Sequence, residues 1–167
     1  LIVGNTSTDD AGGIHVYEAD LTMSNVVISH NDGEYGLYGR DATVQMSHCN
    51  VYGNSGVAFE GITDPTGTDG NVSVAPEFLD GTPVDPLDWD LHLSATSQLI
   101  DAGDPSILDP DGSPSDIGAY GGSGAETWDL DRDGFYEWWL PGPHDPATSP
   151  GTDCDDGDDG VYPGNGC

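Results

Sequence analysis

The stretch that decides the fold runs from Gly13 to Asn31, GIHVYEADLTMSNVVISHN, and a second copy runs from Gly36 to Asn54, GLYGRDATVQMSHCNVYGN. A constant shift of 23 residues lays apolar residues of one copy on those of the other, at alternate positions in three short segments. Alternation with a period of two is typical of β-strands, so each repeat predicts three short strands. The matched positions are Ile14, Val16, Leu21, Met23, Val26 and Ile28, with Leu37, Gly39, Val44, Met46, Cys49 and Val51.

A repeat of this size without a helix cannot bury its own apolar face, so it must stack on its neighbours. Three strands in each repeat predict a parallel β-helix with about 23 residues per coil. Equivalent corners are predicted at Asn5, Asn31 and Asn54, because Asn tolerates a left-handed backbone. A third coil is predicted from Gly56. Cys49 replaces Val26 in the repeat, which predicts a core thiol.

The third coil is expected to place Val57 and Phe59 at the positions of Leu37 and Gly39, a shift of 20 residues.

The first strand, near Ile2, aligns with the last strand of a coil, because Ile2 lies 26 residues before Ile28. The first coil would therefore present an open edge of unpaired backbone, which natural proteins cover. Further coils or a neighbouring molecule would provide that cover. The second alternative predicts a homo-oligomer or a filament in which chains stack head to tail.

The composition excludes several partners. The 167 residues contain 31 acidic groups and only two Lys or Arg, both Arg, which gives a formal net charge of −29. Such a chain cannot neutralise phosphates, so we expect no nucleic-acid binding and no docking on an anionic membrane. No apolar run approaches the length needed to span a bilayer, which predicts no membrane insertion. Adaptation of the surface to high salt is an alternative explanation of the acidity.

The middle of the chain contains PEFLDG, then DWDLHLSATSQLIDAGDP, then DPDGSPSDIGAYGG. Together with the repeats, from about Gly12 to Gly122, this passage resembles the C-terminal end of secreted bacterial right-handed β-helix proteins. The resemblance implies coils over 1–75 and a C-terminal cap over 76–122, followed by a tail over 123–167. Five Asp in the cap either bind a second calcium ion or form Asx-turns: Asp101, Asp104, Asp109, Asp111 and Asp116.

The tail contains the clearest metal-binding pattern. Asp129, Asp131 and Asp133 alternate before Gly134, and Phe135 is placed to offer its carbonyl, as in the first half of an EF-hand calcium loop. Residues 153–159 carry five further carboxylates, which would repel one another strongly unless a cation lay among them. An acidic tail without a metal ion is the alternative.

The two tail motifs, DLDRDGFYE and DCDDGDDGVYPGNGC, together resemble short metal-binding repeats of secreted bacterial surface proteins. That resemblance implies a disulfide between Cys154 and Cys167, and hence an extracellular or cell-surface location. Hard oxygen donors favour calcium as the metal. The ligands implied are Asp129, Asp131, Asp133, Asp153, Asp155, Asp156 and Asp158.

The residues of the coil argue against catalysis. β-helix lyases use Arg or Lys, and Arg40 is the only cation of the predicted coils. We therefore expect no catalytic residues and a non-enzymatic, secreted, structural or adhesive surface protein that calcium stabilises. The alternative is a carbohydrate-active module that binds or cleaves a neutral polysaccharide through Tyr17, Tyr38, Tyr52 and Arg40.

Overall fold

The computed structural model describes residues 1–80, 90–94, 96–109, 112–123, 136–137 and 152–153. The chain divides into two compact units, Leu1–Ala125 and Glu126–Cys167. Throughout the described ranges the regular structure consists of β-strands, without a helix. No helix that is long and apolar enough to cross a membrane is therefore found there.

The strands are short. In chain order they are β1 (Ile2–Val3), β2 (Ala11–Tyr17), β3 (Asp20–Ser24), β4 (Val27–Ser29), β5 (Tyr35–Arg40), β6 (Thr43–Ser47), β7 (Asn50–Tyr52), β8 (Val57–Glu60), β9 (Phe78–Asp80), β10 (Asp90–Leu93), β11 (Tyr136–Glu137) and β12 (Thr152–Asp153).

The first eight strands form three parallel sheets, β1–β4–β7, β2–β5–β8 and β3–β6. The two complete turns of the chain, β2–β3–β4 and β5–β6–β7, each contribute one strand to each sheet, an arrangement compatible with a β-helix. Ile14 pairs with Leu37 and Ile28 pairs with Val51, which confirms the 23-residue register. Among the described strands, β1, β2 and β3 pair on one side only. The predicted head-to-tail association stays a prediction.

The register predicted for the third coil is wrong. Val57 pairs with Tyr35, and Phe59 pairs with Leu37, so the shift is 22 residues and not 20. Both shifts are even and keep the same side chains on the same face, so alternation cannot choose between them. The observed register stacks the apolar side chain of Phe59 on the strand position of the buried Leu37.

The corner residues also differ from the prediction. The left-handed backbone belongs to the residue before each predicted Asn: Gly4 (φ 67°), His30 (φ 55°) and Gly53 (φ 65°). The Asn side chains instead form hydrogen bonds with one another. Asn5 Nδ2 donates to Asn31 Oδ1 (2.9 Å), and Asn31 Nδ2 donates to Asn54 Oδ1 (3.0 Å).

The same side chains also bind backbone groups of the corners. Asn31 Nδ2 donates to the Ile2 carbonyl (3.0 Å), and Asn54 Nδ2 donates to the Ile28 carbonyl (3.1 Å). This asparagine ladder (Asn5, Asn31 and Asn54) therefore satisfies polar groups that the turns would otherwise leave unpaired. Asn31 is 2% exposed, and the hydrogen bonds of the ladder are partly buried.

The core of the coils consists of the predicted inward side chains. Ile28, Leu37 and Cys49 are fully buried, and Met23, Met46 and Val51 complete the cluster. The prediction of a core thiol at Cys49 is confirmed, and burial raises its pKa.

The described residues of the segment 97–122, which are 97–109 and 112–122, pack on the outer face of one sheet. Val27 lies beside the inward Ile28 in β4 and so points to the opposite face, where Leu99 and Ile117 cover it completely. The Asn25 side chain adds two hydrogen bonds, to Ser115 Oγ (2.6 Å) and from the Asp104 amide (2.8 Å). The coil and this segment thus share a second apolar core.

Candidate metal centre

Two short stretches of the segment 97–122 lie side by side. The Ile117 amide donates to the Leu99 carbonyl (3.0 Å), and the Gly103 amide donates to the Ser115 carbonyl (2.7 Å). The two backbones approach so closely at Gly103 that a Cβ there would collide with the Ser115 carbonyl. This pairing places Asp101 beside Asp116.

A tight loop positions the third carboxylate. The Asp109 amide donates to the Ser113 carbonyl (2.9 Å), and the Gly112 amide donates back to the Asp109 carbonyl (2.9 Å). Leu108 and Pro114 form an antiparallel bridge at the base of this loop. The loop therefore folds back on the paired stretches and places Asp109 next to them.

Asp101, Asp109 and Asp116 form one cluster, in which one carboxylate oxygen from each lies within 4.8 Å of the others. All three residues are partly buried. Backbone amides orient two of them, because Asp101 donates its N–H to Asp116 Oδ1 (2.9 Å) and Gly122 donates its N–H to Asp109 Oδ1. Backbone amides thus orient the carboxylates of Asp109 and Asp116.

The donor set of the cluster suits a hard cation. Three carboxylates at this separation repel one another, and partial burial weakens the screening by water. A divalent ion between them removes that repulsion, and calcium takes carboxylate and carbonyl oxygens in flexible geometry. The residues present therefore fit a metal ion bound by Asp101, Asp109 and Asp116.

Of the other two Asp predicted for this site, Asp104 lies outside the cluster and belongs to a turn. Asp104 Oδ1 accepts hydrogen bonds from the Ser106 amide (2.9 Å) and the Ser106 hydroxyl (2.7 Å), which is an Asx-turn. These bonds, the amide bond first, lower the pKa of Asp104. Asp111 lies outside the described residues.

The predicted tail site lies almost entirely outside the described residues. Of its ligands only Asp153 is described, as a backbone position in β12, where it pairs with Glu137 of β11 in a parallel ladder. The proposed disulfide between Cys154 and Cys167 lies outside the described residues too. The same holds for Asp129, Asp131, Asp133, Phe135, Asp155, Asp156 and Asp158.

The residues predicted for a sugar-binding face separate into two sheets. Tyr17, Tyr38 and Arg40 lie in β2 and β5, whereas Tyr52 lies in β7 of another sheet. The sequence interpretation omitted His15 and Tyr35, whose rings lie beside those of Tyr17 and Tyr38. His15 occupies the same outward position of the repeat as Tyr38, so the repeat itself predicts that the two rings lie side by side.

Comparison with known proteins provides no relative: no protein family, curated protein or solved structure matches this chain.

Proposed function

We propose that the chain is a non-enzymatic structural module of a secreted or surface-exposed protein, a right-handed parallel β-helix stabilised by calcium. The observation that carries this proposal is the cluster of Asp101, Asp109 and Asp116. An ion at the cluster would join three points of a segment that has few strand contacts of its own. It would thereby stabilise the layer that covers Val27 on the coil.

Calcium binding at this cluster adds stability by mass action, because the unfolded chain does not bring the three carboxylates together. An ion present at ten times its dissociation constant contributes about 1.4 kcal/mol. Extracellular calcium modules work with dissociation constants of about 10⁻⁴ to 10⁻³ M, which suits a site with few charged ligands. The proposal therefore fits a protein that works outside the cell.

The finer parts of the proposal rest on the sequence. Residues 76–122 would close the β-helix as a cap, and the acidic tail would hold a further calcium ion and a disulfide. The scarcity of cations on the predicted coils supports a structural or adhesive role, because Arg40 is the only basic residue there besides His.

The test compares two variants of the full chain. Calorimetric titration with calcium should show one binding site fewer in Asp116→Asn than in the parent chain. The substitution keeps the oxygen that accepts the Asp101 amide, so the fold is retained. Asp104→Asn is the matched control, because Asp104 lies in the same segment but outside the cluster, and its titration should be unchanged.

Thermal unfolding adds the second measurement. Calcium should raise the midpoint of the parent chain and of Asp104→Asn more than that of Asp116→Asn, whereas an equal ionic strength of potassium chloride should not substitute for it. Equal calcium responses in Asp116→Asn and the parent would overturn the proposal. A response to potassium chloride as large as that to calcium would favour adaptation to salt.

A further inference from the structure

The side chain of Asn25 joins the coil to both of the paired stretches that carry Asp101 and Asp116. Asn25 Oδ1 accepts the N–H of Asp104 (2.8 Å), and Asn25 Nδ2 donates to Ser115 Oγ (2.6 Å). Asp104 follows Asp101 by three residues, and Ser115 directly precedes Asp116. One side chain of the coil therefore holds a point close in the chain to each of two proposed metal ligands.

The corner of the coil does not itself require an asparagine at this position. Asn25 has a left-handed backbone (φ 56°), and its equivalent in the next coil, His48, has nearly the same conformation (φ 48°). The register of the strands establishes this equivalence, because Ser24 pairs with Ser47. The two hydrogen bonds to the segment therefore explain the Asn side chain better than the turn does.

Apolar contacts hold the same two stretches on the coil. Leu99 and Ile117 are fully buried in one cluster with Val27. Leu99 precedes Asp101 by two residues, and Ile117 follows Asp116 directly. The face of the segment that docks on the coil thus consists of chain neighbours of the proposed ligands.

The separation of these two carboxylates depends on the pairing of the two stretches. The Asp101 amide donates to Asp116 Oδ1 (2.9 Å), and the Gly103 amide donates to the Ser115 carbonyl (2.7 Å). Within the described part of the segment 97–122, no β-strand supports this pairing. Since three carboxylates repel one another in the absence of an ion, the paired arrangement depends on the coil for its support.

Docking on the coil and calcium binding should therefore favour each other. Such coupling is reciprocal: a contact that favours the docked arrangement raises the affinity for the ion, and the ion favours docking by the same factor. We propose that Asn25 is a positioning residue of the calcium site, which sets the affinity of the site from the coil. This inference rests on the proposed function, because it requires calcium at Asp101, Asp109 and Asp116.

NMR titration of the full chain with calcium tests the proposal, because it reads this cluster separately from any site in the tail. The Asp101 amide donates to the carboxylate of Asp116, so its chemical shift reports binding at the cluster. Asn25→Gly removes both hydrogen bonds and leaves the left-handed corner unstrained, since Gly adopts a positive φ freely. It should raise the dissociation constant about fivefold, the lower end of the range for coupled sites.

Asn31→Ala is the matched control for a general loss of stability. It should also destabilise the coil, but the hydrogen bonds of the asparagine ladder join one coil to the next, so its dissociation constant should equal that of the parent. Ser115→Ala removes one of the Asn25 bonds from the other side. The double variant with Asn25→Gly should therefore lose less affinity than the product of the two single effects.

Hydrogen exchange gives the reciprocal measurement. Calcium should slow exchange of the Asp104 amide in the parent and in Asn31→Ala, but not in Asp116→Asn. If Asn25→Gly binds calcium with the dissociation constant of the parent, this inference is overturned and the proposed function stands. If the Asp101 amide responds to calcium equally in the parent and in Asp116→Asn, the proposed function fails, and this inference fails with it. An equal loss of affinity in Asn31→Ala would show that the general stability of the coil, and not Asn25, sets the affinity.

Discussion

The repeated coils and the segment 97–122 are held together by different kinds of contact. In the coils, like residues lie on like residues: Met23 pairs with Met46, and Asn31 lies between Asn5 and Asn54 in the asparagine ladder. In the segment, each polar contact is made once, as in the Asx-turn of Asp104 or the bond from the Asp101 amide to Asp116.

This difference separates two sources of stability. The coil gains from apolar burial and neutral hydrogen bonds, neither of which requires an ion. The segment brings three carboxylates together, so its free energy depends on what neutralises them. The stability of the coil should therefore depend little on ions, whereas the stability of the segment should depend on a cation at the cluster.

The largest expected effect comes from matched core substitutions in the two regions. Leu37 and Leu99 are both fully buried, one in each region, so Leu→Ala at either should lower the free energy of unfolding by about 3 kcal/mol. Leu99→Ala should also reduce the calcium-induced stabilisation, because the Leu99 side chain packs on Ile117, the residue after Asp116. Denaturant unfolding with calcium or with EDTA measures both quantities. An equal calcium dependence in the two variants would contradict the view that the stability of the segment, but not that of the coil, depends on an ion.

A smaller effect is expected in the asparagine ladder. Asn31→Ala removes the donor of the Ile2 carbonyl and one donor of Asn54 Oδ1, both at a partly buried corner, and should cost about 2 kcal/mol. The loss should be the same in calcium and in EDTA. Gln45→Ala, on an exposed position of β6, is the control and should change stability by less than about 0.5 kcal/mol. A loss at Asn31 no larger than that at Gln45 would show that the ladder is not stabilising.

The link between the two regions should contribute less. Asn25→Gly removes the hydrogen bonds to Ser115 and Asp104 without straining the left-handed backbone of this position (φ 56°), and should cost about 1 kcal/mol. Asn25→Ala should cost about 1 kcal/mol more, because Ala has a Cβ that disfavours this conformation. Hydrogen exchange at the Asp104 amide, which should speed up in both variants, reports the loss of the link directly. An unchanged rate would place the link elsewhere.

The smallest effect is a pH dependence. Hydrogen bonds from Ser106 hold the pKa of Asp104 below its ordinary value in the folded chain. The Asx-turn therefore contributes stability above the unfolded pKa of about 3.9, and loses it as the pH falls through the folded value. Ser106→Ala should raise the pKa of Asp104 part of the way, because the amide bond remains.

Side-chain carboxyl titration by NMR measures this pKa. Asp64 is an internal control, since bonds from the Thr66 hydroxyl and amide lower its pKa in the same manner, and Ser106→Ala should leave it unchanged. An unchanged pKa of Asp104 in Ser106→Ala would show that the hydroxyl bond has no part in the turn.

The same difference between the regions decides how much the sequence predicts. The register of β2 with β5 follows from the repeat, because equivalent residues have equivalent tasks. The third coil shows the limit, since shifts of 20 and 22 residues preserve the same alternation and only packing on Leu37 distinguishes them. At the corners, the repeat correctly marks Asn as the equivalent residue. The pattern does not show that Asn acts through its side chain and not through a left-handed backbone.

The sequence predicts that the candidate site consists of Asp residues of this segment, but it does not predict which of them come together. Five Asp of the segment were expected together, and the structure brings together Asp101, Asp109 and Asp116. Asp104 belongs to a turn because Ser106 follows two residues later, a local pattern typical of Asx-turns that the sequence displays. The proximity of Asp101 to Asp116 depends on backbone pairing across 15 residues, which has no repeat to reveal it.

The apolar cluster around Val27 has a mechanical consequence. The cluster includes Leu1 and Val72 as well as Leu99 and Ile117 of the segment 97–122. This segment therefore lies as a strap across neighbouring strands of the sheet β1–β4–β7. Stacked repeats alone behave as a one-dimensional array that can fray from its ends, one unit at a time. A strap across the rungs makes detachment of a terminal coil and of the strap a single event. It also fixes the number of coils between Leu1 and Val72, because a coil inserted there would separate the residues that the strap spans.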